Sequence, residues 1–201
     1  MLKDKYIKRQ FSSYEDFKNN FNVEIPENFN FGFDVVDEIA AKEPGKKAMV
    51  WCDEKGDHRE FTFEDIKKYS NKTANFFKSL GIKKGDAVML VLKRRFEFWF
   101  AIIALHKIGA VPIPATHLLT EKDIVYRNNA ADIKMIVSVA TDNVPCAVDK
   151  AQSKSPTLKF KVAVNGEVDG WYNFDKEIEK QSDVFERPKG LDATKNDDKF
   201  L

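Results

Sequence analysis

From about residue 31 onward, apolar positions recur with two alternating periods. Ile66, Tyr69, Thr73, Phe76, Phe77 and Leu80 fall at three- and four-residue intervals, which places them on one helix face. Thr62 and Asp65 have capping-box spacing, Phe61 and Ile66 stand at staple positions, and Gly81 supplies a stop. A long helix between Thr62 and Gly81 follows. Ala87–Leu92 (AVMLVL) is apolar on both faces, as a central parallel strand covered by helices on each side must be. A nearly all-apolar helix from about Glu97 to Ile108, ended by Gly109, and a strand over Ala110–Pro114 complete a βαβ unit.

The alternation continues downstream. Thr120 and Asp123 repeat the cap spacing, with Leu119 and Ile124 as staple candidates, before a helix to Ala131. Ile133–Val139 and Leu158–Val164 read as strands, and Pro145–Gln152 and Phe174–Gln181 as helices. Upstream, 48–52 and 59–62 form the arms of a hairpin around the turn Lys55-Gly56-Asp57. A helix from Phe33-Asp34 to Ala41, with Asp34 as N-cap, precedes it. Residues 1–30 read as an arm with a short helix over 13–21. Ser182–Asp198 is polar and turn-rich and reads as a linker, and Lys199-Phe200-Leu201 as the opening of a strand. The predicted fold class is α/β, a largely parallel β-sheet flanked by helices, with a small β-hairpin near 48–62.

Composition narrows the class. With 43% hydrophobic and 12% aromatic residues the chain can build a packed core. Its 33 Lys+Arg and 32 Asp+Glu leave a formal net charge of +1, so no electrostatic footprint for nucleic acid exists. No apolar run approaches the length of a membrane span, and Met1–Lys5 holds no apolar signal region. Cys52 and Cys146 lie far apart among apolar neighbours, which predicts buried free thiols in a reducing compartment. A cytoplasmic location is expected.

Candidate chemistry is sparse. There is no GxGxxG, GxxxxGK[ST], GxSxG or HExxH. His58 lies in the hairpin turn and reads as solvated; His106 shares a helix face with Trp99, Ile102 and Ile103 and reads as structural. His117 follows a strand end, where open α/β sheets bind ligands, and is a loop candidate. Lys93-Arg94-Arg95 puts three cations between a strand and the next helix. Either Glu97 and other carboxylates compensate them, or an anion docks there, with Arg94 and Arg95 as candidate contacts. Trp171-Tyr172 reads as an aromatic lid on the last helix, and Asp197-Asp198 as solvated linker charge. No catalytic residue and no metal site is assigned.

The ordered series of these segments resembles the adenylate-forming (AMP-binding) superfamily. Leu80-Gly81-Ile82-Lys83-Lys84-Gly85-Asp86-Ala87-Val88 is similar to its LGxxxGDxV stretch, and Glu97-Phe98-Trp99 with Ala104–Pro114 to its EFxxAxLAxxKxGAVxxPxxP stretch. Phe61–Ile66 and Asp123–Arg127 with Ala131–Lys134 extend the likeness. Pro114-Ala115-Thr116-His117-Leu118-Leu119 and Asp169–Phe174 most resemble the acetyl- and medium-chain acyl-CoA synthetases. Lys93 stands where this family commonly has proline, which implies a looser strand-to-helix turn.

The resemblance implies that 31–201 is the N-terminal subdomain of an enzyme that joins a small carboxylate to coenzyme A at the expense of ATP, with Mg²⁺. It also implies that the phosphate-binding loop and the family's catalytic residues follow residue 201, so that the chain alone is inactive, binds none of these cofactors tightly, and self-associates through surface the remainder would cover. A free-standing binding or scaffold module of the same fold, and an amino-acid- or aryl-acid-activating branch, remain open at this level.

Overall fold

A computed structural model describes residues 5–7 and 10–199. The predicted strand opening therefore lies outside the described residues, apart from Lys199. In chain order the elements are α1 (Tyr14–Asn20), a π-helical stretch Gly32–Asp37 running into α2 (Glu38–Lys42), β1 (Lys47–Cys52), β2 (His58–Thr62), α3 (Phe63–Ser79), β3 (Ala87–Val91), α4 (Glu97–Ile108), β4 (Val111–Pro114), α5 (Glu121–Ala130), β5 (Met135–Val139), α6 (Val144–Gln152), β6 (Phe160–Val164), β7 (Tyr172–Asn173) and α7 (Phe174–Glu179).

The local signals act as their chemistry requires. The Thr62 hydroxyl accepts from the Asp65 amide at 3.1 Å while the Asp65 carboxylate accepts from the Thr62 amide at 2.9 Å. Phe61 and Ile66 are both buried beneath this box. Thr120 and Asp123 repeat the arrangement on α5. Gly109 ends α4 with φ +82°, a conformation an L side chain resists, and its amide and that of Ala110 both return to the Leu105 carbonyl at 2.9 Å.

Five strands form one sheet in the order β4-β3-β5-β6-β7, and every pairing is parallel. β1 and β2 form the separate antiparallel hairpin. Side chains alternate across the sheet, so β3 sends Val88 and Leu90 to one core and Ala87, Met89 and Val91 to the other. The first core is closed by α3, α4 and α7, the second by α5 and α6. The edge strand β4 carries Pro112 and Pro114. Val111 and Ala115 donate to Asp86 and Leu90, so the odd-numbered amides face β3. The prolines therefore occupy the outward positions, where their missing N–H groups deprive a further strand of donors.

Several expectations need correction. The helix near 34–41 begins earlier: Asn30, not Asp34, caps it, its side-chain oxygen accepting from Gly32 N at 3.0 Å, while Asp34 accepts from Asn30 N at 2.7 Å. Both cysteines are free, as expected, but exposed. Cys52 ends a hairpin strand and Cys146 points off α6, and neither element is covered on that face. Ser182–Asp198 is no free linker. It is strapped to the body by Arg187 on Asp34, by Asn71 and Asn75 on the carbonyls of 182–184, and by Lys84 on the Ala193 carbonyl. Asp198 pairs with Lys84 at 2.8 Å instead of lying solvated. Trp171 rests on the α6 side, donating to Asp149 at 2.9 Å, and does not cover α7.

The least expected feature lies within α4. Lys107 is completely buried, its ammonium donating to Asp37 (2.7 Å), Asn71 (2.6 Å) and Ser70 (3.0 Å). Three donors meet three acceptors, which is what allows a cation to remain inside. Burial pulls Lys107 down to about 8 and pushes Asp37 up, each against the opposite charge beside it. Gly32 makes room for the lysine stem, since a Cβ there would stand 2.6 Å from Lys107 Cγ.

Candidate functional site at the carboxyl ends of the strands

β3 leads through α4 to β4 on one side, whereas β5 leads through α6 to β6 on the other. Because α4 and α6 lie on opposite faces, the loops after β3 and β5 diverge and leave a crevice. This is the topological switch point at which open α/β sheets hold ligands. The backbone there is unusual. Lys93 (φ +50°), Asp142 (φ +66°) and Asn165 (φ +57°), three of the four non-glycine residues with left-handed φ among the described residues, follow β3, β5 and β6. Such conformations concentrate at ligand-binding sites. The Lys93 ammonium meets Asp142 Oδ2 at 2.5 Å, spanning the crevice. The turn after β3 is thus tied and not loosened, and proline, locked near φ −65°, could not adopt this conformation at 93.

The two candidate arginines separate. Arg95 grips Glu97 with Nε at 3.0 Å and Nη2 at 2.6 Å, and its guanidinium lies over Trp51 (5.2 Å) and Phe96 (4.8 Å). Glu97 is buried, so Arg95 serves as its counter-charge, the compensated alternative of the two. Arg94 keeps its side chain exposed while its carbonyl accepts from the Trp51 indole at 2.7 Å. Arg59 lies over the other approach to Phe96 at 5.0 Å. A cavity of about 330 Å³ here has Arg59 and Arg95 on one wall and Asp175 and Glu179 among its lining.

His117 is exposed at the end of β4, on the rim of a cleft of about 410 Å³ floored by Leu90, Leu92, Phe98 and Pro114. Lys93 lines the same cleft, so the fold brings these two sequence-distant residues together. His106 is buried edge-on to Phe31, and burial depresses it to about 4, which keeps it neutral at pH 7. His58 is exposed at the start of β2. Asp142 was not singled out from the sequence, although Thr141-Asp142-Asn143 after a predicted strand is a turn signal. Among the described residues no three His, Cys, Asp or Glu side chains converge as metal ligands.

Comparison with known proteins bears on the family and the fold. Residues 36–199 match the family model of AMP-binding enzymes. The mouse mitochondrial acyl-coenzyme A synthetase ACSM4 is 37% identical over 178 residues, 84% of this chain and 30% of that protein. The human mitochondrial acyl-coenzyme A synthetase ACSM3 is 36% identical over 182 residues, 87% of this chain and 31% of that protein. The anthranilate CoA ligase AuaEII, solved with anthranoyl-AMP, superposes with a TM-score of 0.73 at 20% identity over 87% of this chain and 31% of its own, a likeness of fold. The chain thus spans just under a third of the length of these relatives. With the family model covering most of its residues, the chain belongs to the AMP-binding enzyme family.

Proposed function

We propose that this chain supplies the leading part of an ATP-dependent acyl-CoA synthetase, with 1–30 as an arm and 31–201 as a subdomain that precedes the phosphate-binding loop. The carrying observation is the colinear match over 36–199 together with 36–37% identity to two acyl-CoA synthetases. In the proposed reaction a carboxylate oxygen attacks the α-phosphorus of ATP, giving an acyl-adenylate and releasing pyrophosphate. The sulfur of coenzyme A then attacks the acyl carbon, forms the thioester and expels AMP. Such chemistry rests on positioned cations and donors that meet charge as it develops. Magnesium would accompany the ATP, but the described residues offer no ligand set for it, so none is assigned in this chain. The acetyl- to medium-chain range and a cytoplasmic location belong to the same proposal, the first supported by Pro114–Leu119 and Asp169–Phe174.

The test is pyrophosphate release and thioester formation across a panel of carboxylates, using the full-length protein that carries this chain. Response to acetate or medium-chain fatty acids is expected, and activation of amino acids alone would replace the proposal with a different adenylating branch. The 201-residue chain by itself should form no thioester with ATP, Mg²⁺ and coenzyme A. Micromolar ATP binding by the isolated chain, read by titration calorimetry, counts against that expectation.

A further inference from the structure

We propose that the aromatic face of α1 is a self-complementary surface on which a second copy of this chain docks, the two helices lying antiparallel about a two-fold axis near Phe17. The inference is independent of the ligase reading.

Among the described residues thirteen large hydrophobic side chains stand exposed, and six of them fall between residues 14 and 31. Tyr14, Phe17 and Phe21, at i, i+3 and i+7, share one face of α1 and its C-cap and are 72%, 43% and 46% exposed. Phe17 sits against Phe11 (5.3 Å) and Phe21 (5.1 Å), so the rings form one cluster. Yet α1 buries none of its own residues. Seven residues are too few to hold a helix in water by propensity, and short helices owe their stability to a packed apolar face. The Ser13 cap and the bonds of Asp16 to Ser12 and Asn20 fix the backbone locally, but the fold leaves the ring cluster facing solvent.

Charge decides what covers it. Glu15 and Lys18 line one flank of the rings, and neither has an ion-pair partner among the described residues. In an antiparallel two-fold arrangement each flank meets the same flank of the other copy. That brings Glu15 opposite Lys18 of the second copy, and Lys18 opposite its Glu15. An anionic lipid surface would need a cationic flank, whereas Glu15 and Asp16 outnumber Lys18 on α1. Val23 and Ile25, 40% and 55% exposed, continue the apolar strip along the chain. Together with the rings they offer roughly 400 Å² per copy, about half of what a stable interface takes from each side. The dimer is therefore transient.

The experiment is sedimentation velocity of the 201-residue chain over a concentration series at low salt, with thermal melts verifying that each variant is folded. The unaltered chain should shift from monomer towards dimer as concentration rises. Phe17→Ser should weaken dimerisation by about tenfold or more. Glu15→Lys and Lys18→Glu should each weaken it by about three- to tenfold, because like charges then face each other at both pairings. An equimolar mixture of those two variants should recover dimer, since each supplies the charge the other lacks. Damage to the helix alone could not be rescued by mixing. An unaltered chain that stays monomeric, a Phe17→Ser variant that associates like its parent, or a mixture no better than its components overturns the proposal. So does co-sedimentation with phosphatidylglycerol vesicles in place of dimerisation, which would assign the face to a lipid surface.

Discussion

Lys107 sits wholly inside the molecule, and its three hydrogen bonds join three elements: Asp37 ahead of α2, Ser70 and Asn71 on α3, and α4 itself. Removing one member of a buried pair strands the other, so Lys107→Ala should lower unfolding free energy by about 3–5 kcal/mol in urea titrations. Replacing both charges, as in Lys107→Met with Asp37→Leu, should recover most of that loss, because the desolvation of two ions disappears together. The pH dependence has a defined sign. Lys107 titrates near 8 in the folded chain against 10.5 when exposed, so between those values the unfolded state binds more protons. Its contribution to stability is therefore full above about 10.5 and is lost as pH falls through about 8. Asp37 is shifted upward, so its contribution is full below 3.8 and is lost as pH rises through its higher folded value. Lys107→Met should flatten the alkaline slope, as chemical denaturation at successive pH values would reveal. None of this was legible beforehand: a lysine among apolar residues in a helix carries no mark of whether it snorkels outward or finds acceptors 36 and 70 residues away.

At the scale of elements, the caps and stops were readable because they are contacts within four residues. Thr62 with Asp65, Thr120 with Asp123, and Gly109 form as their spacing implies. The helix near residue 31 starts at Asn30 and not at Asp34, because both carry side chains able to cap and tertiary contacts choose between them. Asn30 donates to the His106 carbonyl at 2.6 Å, while Arg187 takes Asp34. The same packing gives two glycines opposite sensitivities. Gly32→Ala forces a Cβ to within 2.6 Å of the Lys107 stem and should destabilise by about 1–3 kcal/mol. Gly45→Ala meets nothing within 4 Å and should be near neutral, which makes it the control in the same thermal-melt series.

For the whole molecule, the exposed edge and the solvent-facing apolar residues decide how it behaves in solution. Pro114, the exposed proline of β4, withholds an outward donor, so Pro114→Val should restore part of a pairing edge. Sedimentation velocity should then show concentration-dependent self-association beyond that of the unaltered chain. Trp99 and Leu118 are separately half and three-quarters exposed. An edge variant indistinguishable from the parent in sedimentation would remove Pro114 from this role.

Period and local chemistry in the sequence alone determined the succession of strands and helices, the parallel sheet, the two capping boxes and the family likeness. Each of these is a short-range pattern or a colinear order, and so needs no knowledge of what lies opposite. Only the tertiary structure decided that Lys93 reaches Asp142, that Arg95 is held by Glu97 while Arg94 stays exposed, that His117 shares a cleft with Lys93, and that 182–198 is strapped to the body. Lys93 with Asp142 and Arg187 with Asp34 join residues far apart in the chain, whereas Arg95 and Glu97 are near neighbours and the structure only selected their pairing from the two alternatives the sequence offered. Which charge meets which carboxylate is set by strand order and helix face, quantities that no local run of residues contains.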